Sequence, residues 1–215
     1  MSAQRDDRIF IIDDDPSVRK GLGRLLCSEG YAYESFPSAE IFLIRARYAG
    51  PCCIVLDIRM PGLNGLALQK ALSAAGRDEQ IIFITGHGDI PTCASAMKAG
   101  AIDFLTKPFR NEELLGAIAR SLERSRRLFR EDVERGEIQG LIDRLTPREH
   151  QVLELVIVGK LNKQIAAELG ASEKTIKVHR GRVMQKMGLF SVAQLVRLTE
   201  RVGIHPETGR DGTKV

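Results

Sequence analysis

The sequence lacks any apolar run long enough to matter to a bilayer. Its longest uncharged stretches, such as 9–12 and 51–56, fall far short of the roughly 20 residues a membrane-spanning helix needs. A helical membrane span is therefore excluded. Residues 1–8 carry Asp6 and Asp7 and lack the apolar core of a secretory signal, so no export is expected and the chain should stay in the cytoplasm. Cysteine is scarce. The four cysteines, Cys27, Cys52, Cys53 and Cys93, show no CxxC or Cys/His spacing, which argues against a zinc site. They are expected to be reduced, small and mostly buried. Low-complexity tracts are missing too, and with 43% apolar and 28% charged residues the composition is that of a globular protein with a real core, not of a disordered chain.

What is present suggests two domains, since 215 residues is long for one compact unit. The net charge of +4 is unevenly spread. Residues 1–122 hold 14 basic and 15 acidic side chains, residues 123–145 hold 6 of each, residues 146–205 hold 10 against 5, and the tail 2 of each. The positive excess thus belongs to the last domain, and a small basic domain suggests an acidic partner, most commonly nucleic acid.

Along residues 1–122, short apolar runs alternate with longer segments of helical period, the rhythm of βα units around a parallel sheet. Strands are predicted at 8–13, 32–36, 52–57, 80–85 and 102–106. Helices are predicted at 16–29, from the cap Ser38 to about Tyr48, from the Pro/Gly-rich loop at 61–65 to about Ala75, at 91–99, and from Asn111 onward. The last helix has no clear stop and runs into the charged stretch 123–145, read as a helical linker; a flexible tether broken near Gly136 and Gly140 is the alternative. From Thr146 the pattern is all helical. Thr146-Pro147-Arg148-Glu149 reads as a capping box with proline at the first helical position. Helices follow at 162–169, ended by Gly170, and after the caps Ser172 and Ser191, reaching Met187 and about Val202. Residues 206–215 read as a disordered tail.

The polar residues of the first domain fall where its strands end: Asp13 and Asp14, then Asp57, Thr85 and Lys107. In an open α/β sheet ligands bind outside the carboxyl ends of the strands at a topological switch point, which in the flavodoxin-like order 2-1-3-4-5 lies between strands one and three. That gathers Asp13, Asp14 and Asp57. Three such carboxylates repel one another unless a cation intervenes, and a few hard oxygens with room for water and phosphate suit Mg²⁺. A carboxylate beside that metal can take up a phosphoryl group, with Lys107 as the neutralising cation and Thr85 as a hydroxyl donor.

The segments IFIIDDDPSVR, IVLDIRMPGLNG, IIFITGHGD and AMKAGAIDFLTKPF carry a resemblance to the receiver domain of two-component response regulators, over residues 8 to about 122. The resemblance implies a role for each matching residue. Asp57 would be the phosphoacceptor, and Asp14, Asp57 and the backbone carbonyl of Arg59 the Mg²⁺ ligands, with Asp13 binding the metal through water. Lys107 would pair with the phosphoryl group, Thr85 would be the switch hydroxyl and Phe104 the switch aromatic, and Lys107-Pro108 would be a cis peptide. A rival is the DxDx(T/S) pattern at Asp13–Ser17, which resembles haloacid-dehalogenase-like phosphatases with Asp13 as nucleophile. The chain offers no late acidic pair for that family's metal. An EF-hand starting at Asp13 fares worse, with Val18 and Arg24 where the loop wants Gly and Glu.

In the second domain, residues 162–180 give a helix, a turn holding Gly170 and a second helix, the helix-turn-helix spacing. At about 100° per residue, Ile176, Val183 and Met187 share an inward side of the second helix. Lys174, Val178, Gly181 and Gln185 share the opposite one, flanked by Lys177 and Arg182. Five basic residues and no acid lie between 174 and 186, as suits a helix entering the major groove. Residues 146–202 resemble the LuxR-type effector domain, and the chain as a whole the NarL/FixJ group, the GHGD segment pointing to FixJ-like receivers. That similarity implies Lys177 and Val178 as base contacts, and Lys163, Thr175, His179 and Arg180 as phosphate contacts; Lys174 and Arg182 join them from the single-signed face. Gly181 departs from the larger residues common at its position. The implied partners are a sensor histidine kinase, promoter DNA, RNA polymerase and, when phosphorylated, a second copy of the chain. The implied role is a phosphorylation-switched transcriptional regulator, not an enzyme, in which phosphorylation draws Thr85 and Phe104 inward and frees or dimerises the DNA-binding domain. A stand-alone switch whose helical domain binds protein is the remaining alternative.

Overall fold

Five short runs become five parallel strands, and the three inner ones, at 8–12, 52–57 and 80–85, are buried nearly throughout because helices cover the sheet on both faces, while the edge runs at 32–36 and 103–106 keep polar, partly exposed residues. The structure is a computed structural model describing residues 7–86 and 90–204. In chain order it contains β1 (Arg8–Ile12), α1 (Pro16–Ser28), β2 (Ala32–Phe36), α2 (Ala39–Leu43), β3 (Cys52–Asp57), α3 (Gly65–Ala74), β4 (Gln80–Thr85), α4 (Ile90–Lys98), β5 (Asp103–Thr106) and α5 (Asn111–Ile142). The helices α6 (Pro147–Ile157), α7 (Asn162–Leu169), α8 (Glu173–Lys186) and α9 (Val192–Glu200) follow. The sheet order is β2-β1-β3-β4-β5, as expected. His87, Gly88 and Asp89 of the GHGD segment, and the tail from 205 on, lie outside the described residues.

The chain divides into two compact units between Arg130 and Glu131. In the first, side chains alternate across the sheet into two cores. Phe10, Ile54, Leu56 and Phe83 pack with Phe42, Leu68 and Leu72 on one face. Ile9, Ile11, Val55, Ile82 and Ile84 pack with Leu22, Leu26, Leu114, Ile118 and Leu122 on the other. β3 is buried along its whole length, whereas the edge strand β2 is largely exposed. Cys52 and Cys53 lie within this core, where burial pushes the Cys52 thiol up to about 12 and that of Cys53 higher still. The expectation of mostly buried cysteines holds for these two, but Cys27 is exposed and Cys93 half-buried.

One helix is shorter than its sequence suggested. α2 ends at Leu43, five residues before Tyr48. The Arg45 guanidinium sits 4.2 Å from the centroid of the Phe10 ring and its Nε donates to Glu34 at 3.2 Å. The Tyr48 ring meets Phe10 edge-on at 6.0 Å. These contacts with the sheet, invisible in a local pattern, outweigh one more turn of helix.

α5 continues through Gly136 and Gly140, and the segment read as linker is shared between the two units. At its start the buried Ser125 accepts the Cys52 N–H at 2.9 Å, and Arg126 pairs with the buried Asp7. At its end Ile138 and Ile142 enter the second core, with Leu141 and Leu145 against it. The many charges between them mask that i, i+3, i+4, i+7 spacing.

The second unit packs α6–α9 around Val152, Leu153, Val156, Ile165, Ile176, Val183 and Leu195. Thr146 and Glu149 form the expected capping box. Gly170 ends α7 at φ 61°, a left-handed turn that favours glycine. Ser172 and Ser191 cap α8 and α9. Among the described residues no helix is long and apolar enough to cross a membrane.

Candidate functional site: an acidic mouth and a basic helix

The register of the sheet builds the acidic site. Ile12 pairs with Leu56, so Asp13 and Asp57 are the next residues on two adjacent parallel strands. Each of the three residues Asp13, Asp14 and Asp57 offers one carboxylate oxygen, and these oxygens lie within 4.8 Å of one another. Thr85 pairs with Thr106, which puts Lys107 one step beyond β5, and its N–H donates to the Thr85 carbonyl at 2.7 Å. From there the Lys107 ammonium reaches Asp13 Oδ2 at 2.7 Å and Asp57 Oδ2 at 3.0 Å. Lys107-Pro108 is cis, as the resemblance implied.

Asp13 is fully buried and Asp57 nearly so, while Asp14 is exposed. Burial raises the Asp13 carboxyl above its ordinary range, against the lowering pull of Lys107 and of the Asp15 N–H, which Asp13 Oδ1 accepts at 2.9 Å. Burial also pulls the Lys107 ammonium down, but its hydrogen bonds to Asp13 and Asp57 outweigh that and raise it. The arrangement is one ammonium serving two enclosed carboxylates, with a third at the surface, and this hard oxygen set suits a small divalent ion such as Mg²⁺. Asp57 Oδ1 accepts the Arg59 N–H at 3.2 Å, closing the turn that carries the Arg59 carbonyl. Gly65 opens α3 against this turn: a Cβ there would lie 2.5 Å from the Asp57 carbonyl oxygen. Thr85 is fully buried, and Phe104 is half-buried against the core.

Several residues that shape the site carried no assignment in the sequence. Arg19 Nη1 donates to the carbonyls of Asp13 at 2.7 Å and Asp14 at 2.9 Å. Glu40 Oε1 accepts the Leu63 N–H at 2.7 Å. Arg19 lies within IFIIDDDPSVR, where the sequence shows its position but not its bond, and nothing local connects Glu40 to a loop 23 residues away.

In the second unit, Lys163 on α7 and Lys174, Thr175, Lys177, Val178 and Arg182 on α8 are exposed, and Ile176, Val183 and Met187 are buried, as the helical spacing requires. Thr175 is committed to the cap: its N–H donates to Ser172 Oγ at 3.1 Å, and the two hydroxyls are 2.8 Å apart. His179 and Arg180 are half-buried. Arg180 Nη1 donates to Asn162 Oδ1 at 3.0 Å, and His179 Nδ1 is enclosed without a partner among the described residues. The run of five basic residues on α8 therefore does not form one open face. Lys186 turns inward, donating to the buried Glu149 at 2.6 Å and to the Arg144 carbonyl at 3.0 Å. That bond, with the Thr146 N–H, holds the Glu149 carboxyl down at about 2. Lys174, Lys177 and Arg182 make no side-chain ion pair or hydrogen bond among the described residues, and a Cβ on the exposed Gly181 would meet no atom within 4 Å.

Comparison with known proteins agrees with both halves. Residues 9–119 match the model of the response regulator receiver domain, and residues 143–199 that of bacterial regulatory proteins of the luxR family. The chain is 46% identical over 200 residues to the response regulator protein TodT of Pseudomonas putida strain F1, covering 93% of this chain and 88% of that one. It is 43% identical to the transcriptional regulatory protein FixJ of Azorhizobium caulinodans, covering 92% and 94%. Among solved structures, the response regulator StyR matches with a TM-score of 0.81 at 47% identity, over 91% of this chain and 98% of that one.

Proposed function

From the premise that the chain belongs to the two-component response regulators joining a receiver to a LuxR-type DNA-binding domain, we propose that Asp57 is its phosphoacceptor and that phosphorylation there controls promoter binding. The protein is a DNA-binding transcriptional regulator, and response regulators take their signal from histidine kinases. The observation that carries the residue assignments is the shared Lys107 ammonium beside three carboxylate oxygens within 4.8 Å of one another.

In this reading an Asp57 oxygen forms the bond to phosphorus as the bond to the donor's histidine nitrogen breaks. Lys107, already on Asp57, neutralises the oxygens of the incoming group. Asp13, Asp14, Asp57 and the Arg59 carbonyl would hold Mg²⁺, which supplies positive charge for the transferring phosphoryl oxygens. Asp13, enclosed and tied to Lys107, acts through water. The Thr85 hydroxyl and the Phe104 ring follow the new phosphoryl group, and the state that binds it better gains population. Lys177 and Val178 read bases; Lys163, Lys174, Thr175, His179, Arg180 and Arg182 serve the phosphates, with Thr175, His179 and Arg180 constrained by the bonds and burial described above. A second copy, engaging a paired half-site, and RNA polymerase complete the partners, in the cytoplasm.

The test is phosphoryl uptake from acetyl phosphate in Mg²⁺, followed by a gel shift on promoter DNA. Wild-type protein should incorporate phosphate and bind more tightly afterwards, and Asp57→Asn should do neither. Uptake by Asp57→Asn equal to wild type would overturn the assignment.

A further inference from the structure

Carboxylates brought together from two loops repel one another, so the loops need anchors that are not themselves ligands. We propose that Arg19 and Glu40, a cation from α1 and an anion from α2, are positioning residues that preset the two loops of the acidic mouth for a divalent cation. The proposal rests on the metal-binding reading of Asp13, Asp14 and Asp57.

The first loop joins β1 to α1. Asp15 caps α1 by accepting the Ser17 N–H at 2.7 Å, which accounts for the helix start but leaves the Asp13 and Asp14 carbonyls to be satisfied. One nitrogen of Arg19 takes both, at 2.7 and 2.9 Å. Asp14 is exposed, and its side chain makes no hydrogen bond or ion pair among the described residues. The backbone bond from Arg19 is therefore what sets where that carboxylate starts from.

The second loop joins β3 to α3 and carries the Arg59 carbonyl. Its near end is held by Arg59 N–H on Asp57 and by Gly65 N–H on the Ile58 carbonyl at 3.0 Å. Its far end is held by Glu40, which accepts the Leu63 N–H at 2.7 Å from a helix that contributes no ligand. The fit is close: Gly62 has φ 73°, and a Cβ there would lie 2.5 Å from Glu40 Oε1. The Leu63 N–H holds the Glu40 carboxyl below its ordinary range, so the brace is ionised at neutral pH. Neither Arg19 nor Glu40 belongs to the set of clustered carboxylates. Removing either leaves every candidate ligand in the chain while loosening the loop that presents it.

The experiment uses the full unphosphorylated chain, with Mg²⁺ alone as the probe. The rise of the thermal midpoint with Mg²⁺ concentration gives an affinity, and the initial rate of phosphoryl uptake from acetyl phosphate against Mg²⁺ gives a second. Arg19→Gln and Glu40→Ala should each raise the Mg²⁺ concentration for half-effect by about tenfold. The uptake rate at saturating Mg²⁺ should stay within about twofold of wild type, because the ligands and Asp57 are intact. Both Arg19 bonds come from one nitrogen, so Arg19→Lys should recover part of the affinity. Wild-type Mg²⁺ affinity in Arg19→Gln and Glu40→Ala, alongside loss of binding in Asp14→Asn, would overturn the proposal and leave the metal site standing. Wild-type protein that ignores Mg²⁺, or Asp14→Asn that binds it normally, would remove the metal site itself. If Arg19→Gln or Glu40→Ala fails to fold, Arg19→Met or Glu40→Leu, which also lack the bonding group, takes its place, and wild-type Mg²⁺ affinity in it would overturn the proposal.

Discussion

The acidic mouth of the first unit and the α8 face of the second both concentrate charge of one sign, but they handle it in opposite ways. In the mouth two of the three carboxylates are enclosed and already paired, Asp13 and Asp57 sharing Lys107 while Asp14 stays at the surface, and the surrounding loops are tied by Arg19 and Glu40. On α8 the basic residues separate into two kinds. Arg180 and Lys186 are bonded within the unit, while Lys174, Lys177 and Arg182 stand in solvent. An enclosed pair is energetically stiff, because losing one partner strands the other in a poorly solvated place. Exposed charges cost the fold little and are screened by salt, so they remain free to meet a polyanion. One region is built to hold a small charged group rigidly and the other to meet a long charged surface.

The largest effect that would test this contrast comes from Lys107→Ala. Leaving Asp13 and Asp57 without their shared cation should destabilise the first unit by about 3 kcal/mol, measured by urea unfolding in EDTA, and added Mg²⁺ should return part of it. A loss no larger than that of a surface charge would erase the distinction between the two regions.

Next comes the strut inside the basic unit. Glu149→Gln should cost about 2 kcal/mol at pH 7, since the carboxyl is held near 2, chiefly by Lys186, against an ordinary value of 4.5. A depressed carboxyl stabilises fully above about pH 4.5 and progressively less as pH falls toward about 2. The gap between wild type and Glu149→Gln in urea unfolding should therefore shrink by more than half at about pH 2.5. A pH-independent gap would mean that packing, not charge, sets the cost.

The smallest effect is expected at an open charge. Lys177→Ala should weaken binding to duplex DNA by about 1 kcal/mol if it contacts a base, with its urea midpoint unmoved. If it contacts phosphate, the slope of log affinity against log salt should instead become shallower by about 0.9. Glu149→Gln should lower stability without changing that slope. Lys177→Ala that loses stability and keeps both affinity and slope would show the residue to be a strut like Lys186.

Much of this was legible in the sequence wherever the signal is short-range. The caps at Ser38, Thr146, Ser172 and Ser191, the left-handed Gly170 and the apolar runs of β1, β3 and β4 each depend on residues a few positions apart, and the helices and strands follow them. α2 is shorter than its local pattern because past Leu43 Arg45 lies over the Phe10 ring and Tyr48 meets that ring edge-on. The core spacing of Ile138 and Ile142 is hidden in the sequence by the charged stretch around them.

By itself, then, the sequence determined where strands stop and which carboxylates stand at their ends, because backbone hydrogen bonding and apolar periodicity act over a few residues. Only the tertiary structure decided which charges are spent: Arg19 on two carbonyls, Glu40 on a loop 23 residues away, Lys186 on a carboxylate 37 residues away. The reason is physical. A long charged side chain can reach many partners, and which one it meets depends on the few ångströms that folding brings together.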